Sequence, residues 1–230
     1  ALSLAAEGLA VTICGRREEL LKAVAAEAPT IHAIAADVTD EASVAALYEQ
    51  AEAARGPFDI VVANAGIASS APAWRTSLEE WNRIISVNLT GAFLTVRPAL
   101  KGMADRKSGR IVFIASVAGL RGSAYVAPYV ASKHGVVGLM RALSAELLMT
   151  GVTVNAVCPG YVETEMLEQS IRRVMEKTGR SEAEARRGFA EINPNHRLIA
   201  PEEVAAAVMW LVSETARNVT GQAIAVSGGG

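Results

Sequence analysis

The chain has 230 residues, 51% of them hydrophobic, with a formal net charge of -2 and a pI near 6.0. That length and apolar content suffice for one substantial core, and 22 basic against 24 acidic residues leave no cationic excess for nucleic acid or an anionic membrane. No apolar run approaches the roughly 18 residues of a membrane span, and Cys14 and Cys158 with the scattered His32, His134 and His196 argue against a disulfide framework and a zinc site.

In chain order, continuous apolar runs of strand length fall at 10–14, 31–36, 60–63, 111–115, 152–157 and 223–226. Each is expected to be buried on both faces, and the two cysteines, within or beside such runs, to be buried thiols of a reducing, cytoplasmic compartment. Helix-period segments lie between them at 18–28, 41–54, 78–103, 128–149 and 201–212. Strand, helix and strand in repetition predict an α/β fold, a doubly wound parallel sheet with helices on both sides, and no linker or low-complexity stretch divides the 230 residues into two domains. The rhythm breaks after Pro159, where residues 161–197 are polar, charged and fit two short helices. Such an excursion is either a lid over a substrate or a solvated insertion.

Ligands of such sheets bind beyond the carboxyl ends of the strands, and this chain places its unusual residues there. Gly15-Arg16-Arg17 follows the first run, Asp37 the second, Asn64-Ala65-Gly66 the third, Ser116 the fourth and Pro159-Gly160 the fifth. Tyr129 and Lys133 stand four residues apart within a helical segment, which puts both on one face. A free phenol titrates at about 10, and a neighbouring ammonium stabilises the phenolate, so the pair reads as a proton-transfer site with a lowered phenol pKa. The alternative is ordinary helix surface.

Together, Asp37-Val38, Asn64-Ala65-Gly66, Asn88 in Val87-Asn88-Leu89-Thr90-Gly91, Ser116, Tyr129 with Lys133, and Pro159-Gly160-Tyr161-Val162-Glu163-Thr164 resemble, in family order, the classical short-chain dehydrogenases/reductases. The resemblance covers nearly the whole chain and implies a Rossmann-type sheet of seven strands, a nicotinamide dinucleotide and reversible carbonyl-alcohol chemistry. One part of the pattern is missing: the first strand and its glycine-rich, pyrophosphate-binding turn are absent ahead of Ala1, where roughly two dozen further residues would complete the dinucleotide unit. The expectation is therefore a single domain over 1–230, incomplete at its N-terminus, with 161–197 as a substrate lid within it.

By the same resemblance Tyr129 is the proton donor, Ser116 orients the substrate oxygen, Lys133 both lowers the Tyr129 pKa and grips the nicotinamide ribose, and Asn88 holds a water that resupplies protons. Asp37 and Val38 should flank the adenine, Asn64, Ala65 and Gly66 let the adenosine half approach, Val162 and Thr164 meet the carboxamide end and the phosphates, and Pro159 and Gly160 belong to the cofactor contacts, a sharp turn being their bland and compatible alternative. Gly15 stands where an NAD enzyme carries an acidic residue for the ribose 2'-hydroxyl, and Arg16 and Arg17 follow it. Guanidinium groups suit a 2'-phosphate, so NADP is the expected cofactor, with NAD the alternative and solvent-facing arginines the bland one.

The implied reaction is reduction of a ketone or 3-oxoacyl group, as in 3-oxoacyl-carrier-protein and polyketide ketoreductases. An NAD-dependent secondary-alcohol or 3-hydroxyacyl dehydrogenase is the second reading, and a non-catalytic dinucleotide-binding regulator the reading from another class. The substrate pocket should be built from residues 68–74, 117–126 and the excursion from 165, Ala-rich and apolar, for a small-molecule or acyl-thioester carbonyl. Arg121, Arg172, Arg173 and Lys177 are either phosphopantetheine or CoA phosphate contacts or solvated charges. No metal is expected, and the family's pairing of the two longest helices implies a homotetramer.

Overall fold

The computed structural model describes residues 1–229. In chain order the described residues form six strands and nine α-helices: α1 (Leu2–Ala6), β1 (Val11–Gly15), α2 (Glu18–Ala26), β2 (Ile31–Ala35), α3 (Glu41–Arg55), β3 (Ile60–Ala63), α4 (Leu78–Ile85), α5 (Gly91–Arg106), β4 (Gly109–Ile114), α6 (Ala127–Glu146), β5 (Val152–Pro159), α7 (Glu165–Thr178), α8 (Glu182–Ile192), α9 (Pro201–Val212) and β6 (Ala223–Val226). Every strand pairing is parallel. The strands form a two-stranded sheet, β1-β2, and a four-stranded sheet in the order β3-β4-β5-β6. No helix of the described residues is long and apolar enough to cross a membrane.

Side chains of a strand alternate between faces, and here both faces are covered. On β4 and β5, Ile111, Phe113, Val152, Val154, Ala156 and Cys158 pack with Val96, Met103, Val136 and Met140 of α5 and α6. The intervening Val112 and Val157 pack with Val208 and Leu211 of α9. This double cover buries all eight residues of β5, as continuous apolar runs predict. It does not extend to β1, β2 and β6, which are only partly buried. Cys14 is accordingly exposed on β1, whereas Cys158 is buried.

The predicted helix over 78–103 is interrupted. Residues Ser86–Thr90 form a π turn in which the Gly91 amide donates to Ser86 O. Such bulges rotate a side chain out of the α-helical phase, and here the residue turned inward is Asn88, 1% exposed. Gly91 follows because a Cβ there would lie 2.8 Å from Val38 Cγ2; the missing side chain lets the helix close against the end of β2. At the other long helix the expected end at 149 falls instead at Glu146, since the chain must reverse into β5 through Gly151 at φ +72°.

The 161–197 excursion is not merely solvated. α7 and α8 enclose their own apolar cluster of Leu167, Ile171 and Ala185, flanked by Tyr161, Val174 and Phe189, with the Tyr161 and Phe189 rings 5.1 Å apart. A capping box, Ser181 with Glu184, starts α8. Asn193 fastens the excursion to the end of β5, accepting from Tyr161 N at 2.9 Å and donating to Tyr161 O at 3.1 Å and Arg197 O at 2.7 Å. Gly160 must be glycine in this arrangement, because a Cβ would fall within contact distance of Asn193 Oδ1.

Candidate active site

Three strand ends converge on the first turns of α6. Ser116, directly after β4 and its follower Ala115, caps a short 3-10 turn, accepting from Ala118 N at 3.1 Å and donating to Pro159 O at 3.4 Å. Its hydroxyl is therefore fixed between the ends of β4 and β5. On α6, Pro128 occupies the first turn, where a missing amide costs nothing, and Tyr129 and Lys133 follow on one face. Lys133 is 4% exposed; its Nζ donates to Ile114 O at 2.8 Å and lies 5.7 Å from the centre of the Tyr129 ring.

Asn88 ties the third strand end to this helix. Its Oδ1 accepts from Ile67 N at 2.8 Å, and its Nδ2 donates to Ile67 O and to Ser132 Oγ, each at 3.0 Å. Ser132 in turn donates to Tyr129 O at 2.8 Å. The Asn88 side chain is thus spent on holding the Asn64-Ala65-Gly66 segment and α6 in register, and only a lone pair of Oδ1 is left for a water. Ser132, fully buried, was not legible as a site residue: its only signal in the sequence is a hydroxyl beside a lysine on an otherwise apolar helix face.

The electrostatics differ from the simple expectation of a lysine-acidified phenol. Burial dominates Tyr129 and raises its pKa, the Ser116 hydroxyl drawing it partly back without the geometry of a formed hydrogen bond. Burial also lowers Lys133 to about 8. Each charge is penalised by the same dry surroundings, so the pair rests as a neutral phenol beside an amine that is still mostly protonated at neutral pH. The Cys158 thiol below them is pushed up to about 11 by burial and stays neutral.

Tyr125 lies in the 117–126 segment expected to line the substrate pocket. It is 62% exposed yet sits at φ +66°, its carbonyl accepting from Ala71 N at 2.8 Å, a conformation that L side chains adopt only when their surroundings impose it. At the start of α6, a groove of about 290 Å³ is lined by Ala73, Thr76, Ser77, Leu78, Trp81, Ala127 and Pro128. The groove uses the 73–81 segment and the start of α6.

At the ends of β1 and β2 the remaining candidates meet. Arg16 lies 3.9 Å from Asp37. The Asp37 carboxylate accepts from Thr39 N and Thr39 Oγ1, which holds it below its ordinary range, and Val38 packs toward Gly91. Arg17 does not join them; it reaches Glu165, next to Thr164, at 3.0 and 2.9 Å. Val162 pairs with Ile199, and Thr164 caps α7 with its backbone while its hydroxyl donates to Val162 O at 3.4 Å.

A model of the short-chain dehydrogenases matches residues 1–174. The chain belongs to the short-chain dehydrogenase family. It is 40% identical over 232 aligned positions to a putative ketoacyl reductase of the granaticin polyketide synthase of Streptomyces violaceoruber, covering 98% of this chain and 85% of that one. It is 44% identical to an inactive 2-(S)-hydroxypropyl-CoM dehydrogenase of Xanthobacter autotrophicus, over 85% of this chain and 83% of that protein. A crystal structure of a variant actinorhodin polyketide ketoreductase with NADPH superposes with a TM-score of 0.94 at 39% identity, covering 98% of this chain and 89% of the other. The short-chain dehydrogenase fold thus accounts for the doubly wound arrangement and for the convergence of Ser116, Tyr129 and Lys133.

The donor set suits a nicotinamide dinucleotide. Lys133 spends one donor on Ile114 O and keeps others for ribose hydroxyls. Gly66 lies against the amine, where a Cβ would stand in van der Waals contact with Lys133 Nζ at 3.5 Å. The Arg16 and Arg17 side chains, 70% and 65% exposed, offer guanidinium donors for a phosphate.

Proposed function

We propose that the protein reduces a ketone or 3-oxoacyl group to the secondary alcohol with NADPH. The observation that carries this reading is the buried Lys133 amine beside the Tyr129 ring, with Ser116 opposite, at the carboxyl ends of the strands. NADPH supplies the hydride. Tyr129 delivers the proton to the carbonyl oxygen as negative charge grows there, and Ser116 exchanges its long 3.4 Å contact with Pro159 O for a hydrogen bond to the same oxygen. Lys133, still cationic at neutral pH, stabilises the phenolate left behind and binds the nicotinamide ribose. Asn88 and Ser132 position α6 against the Gly66 segment.

The arginines after β1 support NADP over NAD, with Arg16 and Arg17 on the 2'-phosphate, Asp37 and Val38 at the adenine, Asn64, Ala65 and Gly66 along the adenosine half, and Pro159, Gly160, Val162 and Thr164 at the carboxamide end. The apolar groove before Tyr129 supports an uncharged carbonyl or an acyl thioester as substrate. Residues 161–197 serve as the lid, and α5 and α6 as the contacts of a cytoplasmic homotetramer. The resemblance to a relative named inactive makes a non-catalytic dinucleotide binder the reading to exclude. The retained tyrosine, lysine and serine speak against it.

Steady-state reduction of a 3-oxoacyl thioester by NADPH tests the proposal. With Lys133 lowered to about 8, kcat/KM for reduction is expected to be level through neutral pH and to decline as the pH passes about 8, where the amine loses its proton. A profile that instead rises across that range contradicts the role given to Lys133.

A further inference from the structure

We propose that Glu165 competes with the cofactor's 2'-phosphate for Arg17, so that NADPH binding releases the first turn of α7 from the end of β1. The inference rests on the NADP reading above. Arg17 and Glu165 are 148 positions apart, yet Arg17 Nη1 lies 3.0 and 2.9 Å from the two carboxylate oxygens. The pair ties the residue before α2 to the opening residue of α7.

Neighbouring charges leave this pair to itself. Glu18 and Glu19 are both engaged by Lys22, at 3.0 and 3.3 Å, and Arg16 faces Asp37. Of the two arginines after β1, one is therefore held by the rim of the cofactor site and the other by the excursion. Both partners are more than half exposed, so neither is trapped by packing. A phosphate ester carries more charge than a carboxylate and matches a guanidinium at least as well, so it displaces Glu165 when it arrives. Glu165 keeps a favourable place once released, because it sits in the first turn of α7, where the helix dipole stabilises an anion.

NADH, with no 2'-phosphate, does not enter the competition. Glu165 is thus a specificity-determining residue that acts through Arg17 and lowers affinity for NADPH alone.

The test is equilibrium titration of NADPH and NADH by cofactor fluorescence on the full-length protein, with Glu165→Gln, Arg17→Ala and the double variant. An exposed ion pair is a weak competitor, so Glu165→Gln is expected to tighten NADPH by about threefold to fivefold and to leave NADH within about twofold. Arg17→Ala should weaken NADPH, and in its background the Glu165→Gln gain should vanish. An unchanged NADPH-to-NADH ratio in Glu165→Gln, or the same gain without Arg17, overturns the inference while leaving the NADP reading intact. Equal affinity of the parent for both cofactors, unmoved by Arg17→Ala, overturns the NADP reading and the inference together.

Discussion

Tyr129→Phe is expected to lower kcat for ketone reduction by about a thousandfold while leaving NADPH affinity within about twofold. The substitution removes one hydroxyl from a side chain whose ring is largely enclosed, so α6 keeps its packing and its Ser132 anchor, which is made to the main-chain oxygen of residue 129. Only the proton donor is lost. Ser116 cannot replace it, since its hydroxyl has no acidifying partner and serves only to hold the substrate oxygen. Stopped-flow NADPH consumption paired with a binding titration separates the two effects. Equal turnover by the variant and the parent assigns the proton to another group.

Lys133→Met is expected to make the protein more stable and nearly inactive. The fall of the amine from 10.5 to about 8 corresponds to about 3 kcal/mol against the charged form. A thioether of similar length carries no such penalty, although Ile114 O loses a donor. A net gain of about 1–2 kcal/mol at pH 7 follows, together with a loss of activity of roughly a hundredfold or more. The sign of the pH dependence is fixed by the direction of the shift. Below about pH 8 both folded and unfolded parent carry the proton, and the penalty is constant. Between about 8 and 10.5 the unfolded chain keeps its proton longer than the folded one, so the parent gains stability as pH rises and the advantage of the variant shrinks. Urea unfolding of both proteins at pH 7 and 9.5 measures this; a variant less stable at pH 7 contradicts the burial argument. The lysine is then a case of stability given up for chemistry.

The strand ends were the legible part of the molecule. Continuous apolar runs marked all six strands to within a residue or two, and the polar or glycine residues closing them led to Ser116, Asn64 and Gly160 without reference to tertiary structure. The Tyr129 and Lys133 spacing was legible because four residues on a helix fix a shared face. What the sequence withheld depends on long-range contact. The π turn at Ser86–Thr90 leaves the hydrophobic period of 78–103 almost unchanged, so nothing local announces that Asn88 turns inward. Ser132 earns its place only by meeting Asn88, 44 positions away, and Asn193 by meeting Tyr161, 32 positions away. The phenol's pKa follows the same rule: spacing reveals a neighbouring cation, but burial sets the direction of the shift.

The most direct test of a proton-transferring tyrosine and lysine over a nicotinamide is NADPH consumption by the full-length protein against a panel of neutral ketones and 3-oxoacyl thioesters, with NADH in parallel and the products identified. The account predicts stoichiometric oxidation of NADPH with formation of the secondary alcohol from at least one member of the panel, faster than with NADH. Tight NADPH binding with no oxidation across the whole panel contradicts it and leaves a dinucleotide-binding protein that does no chemistry.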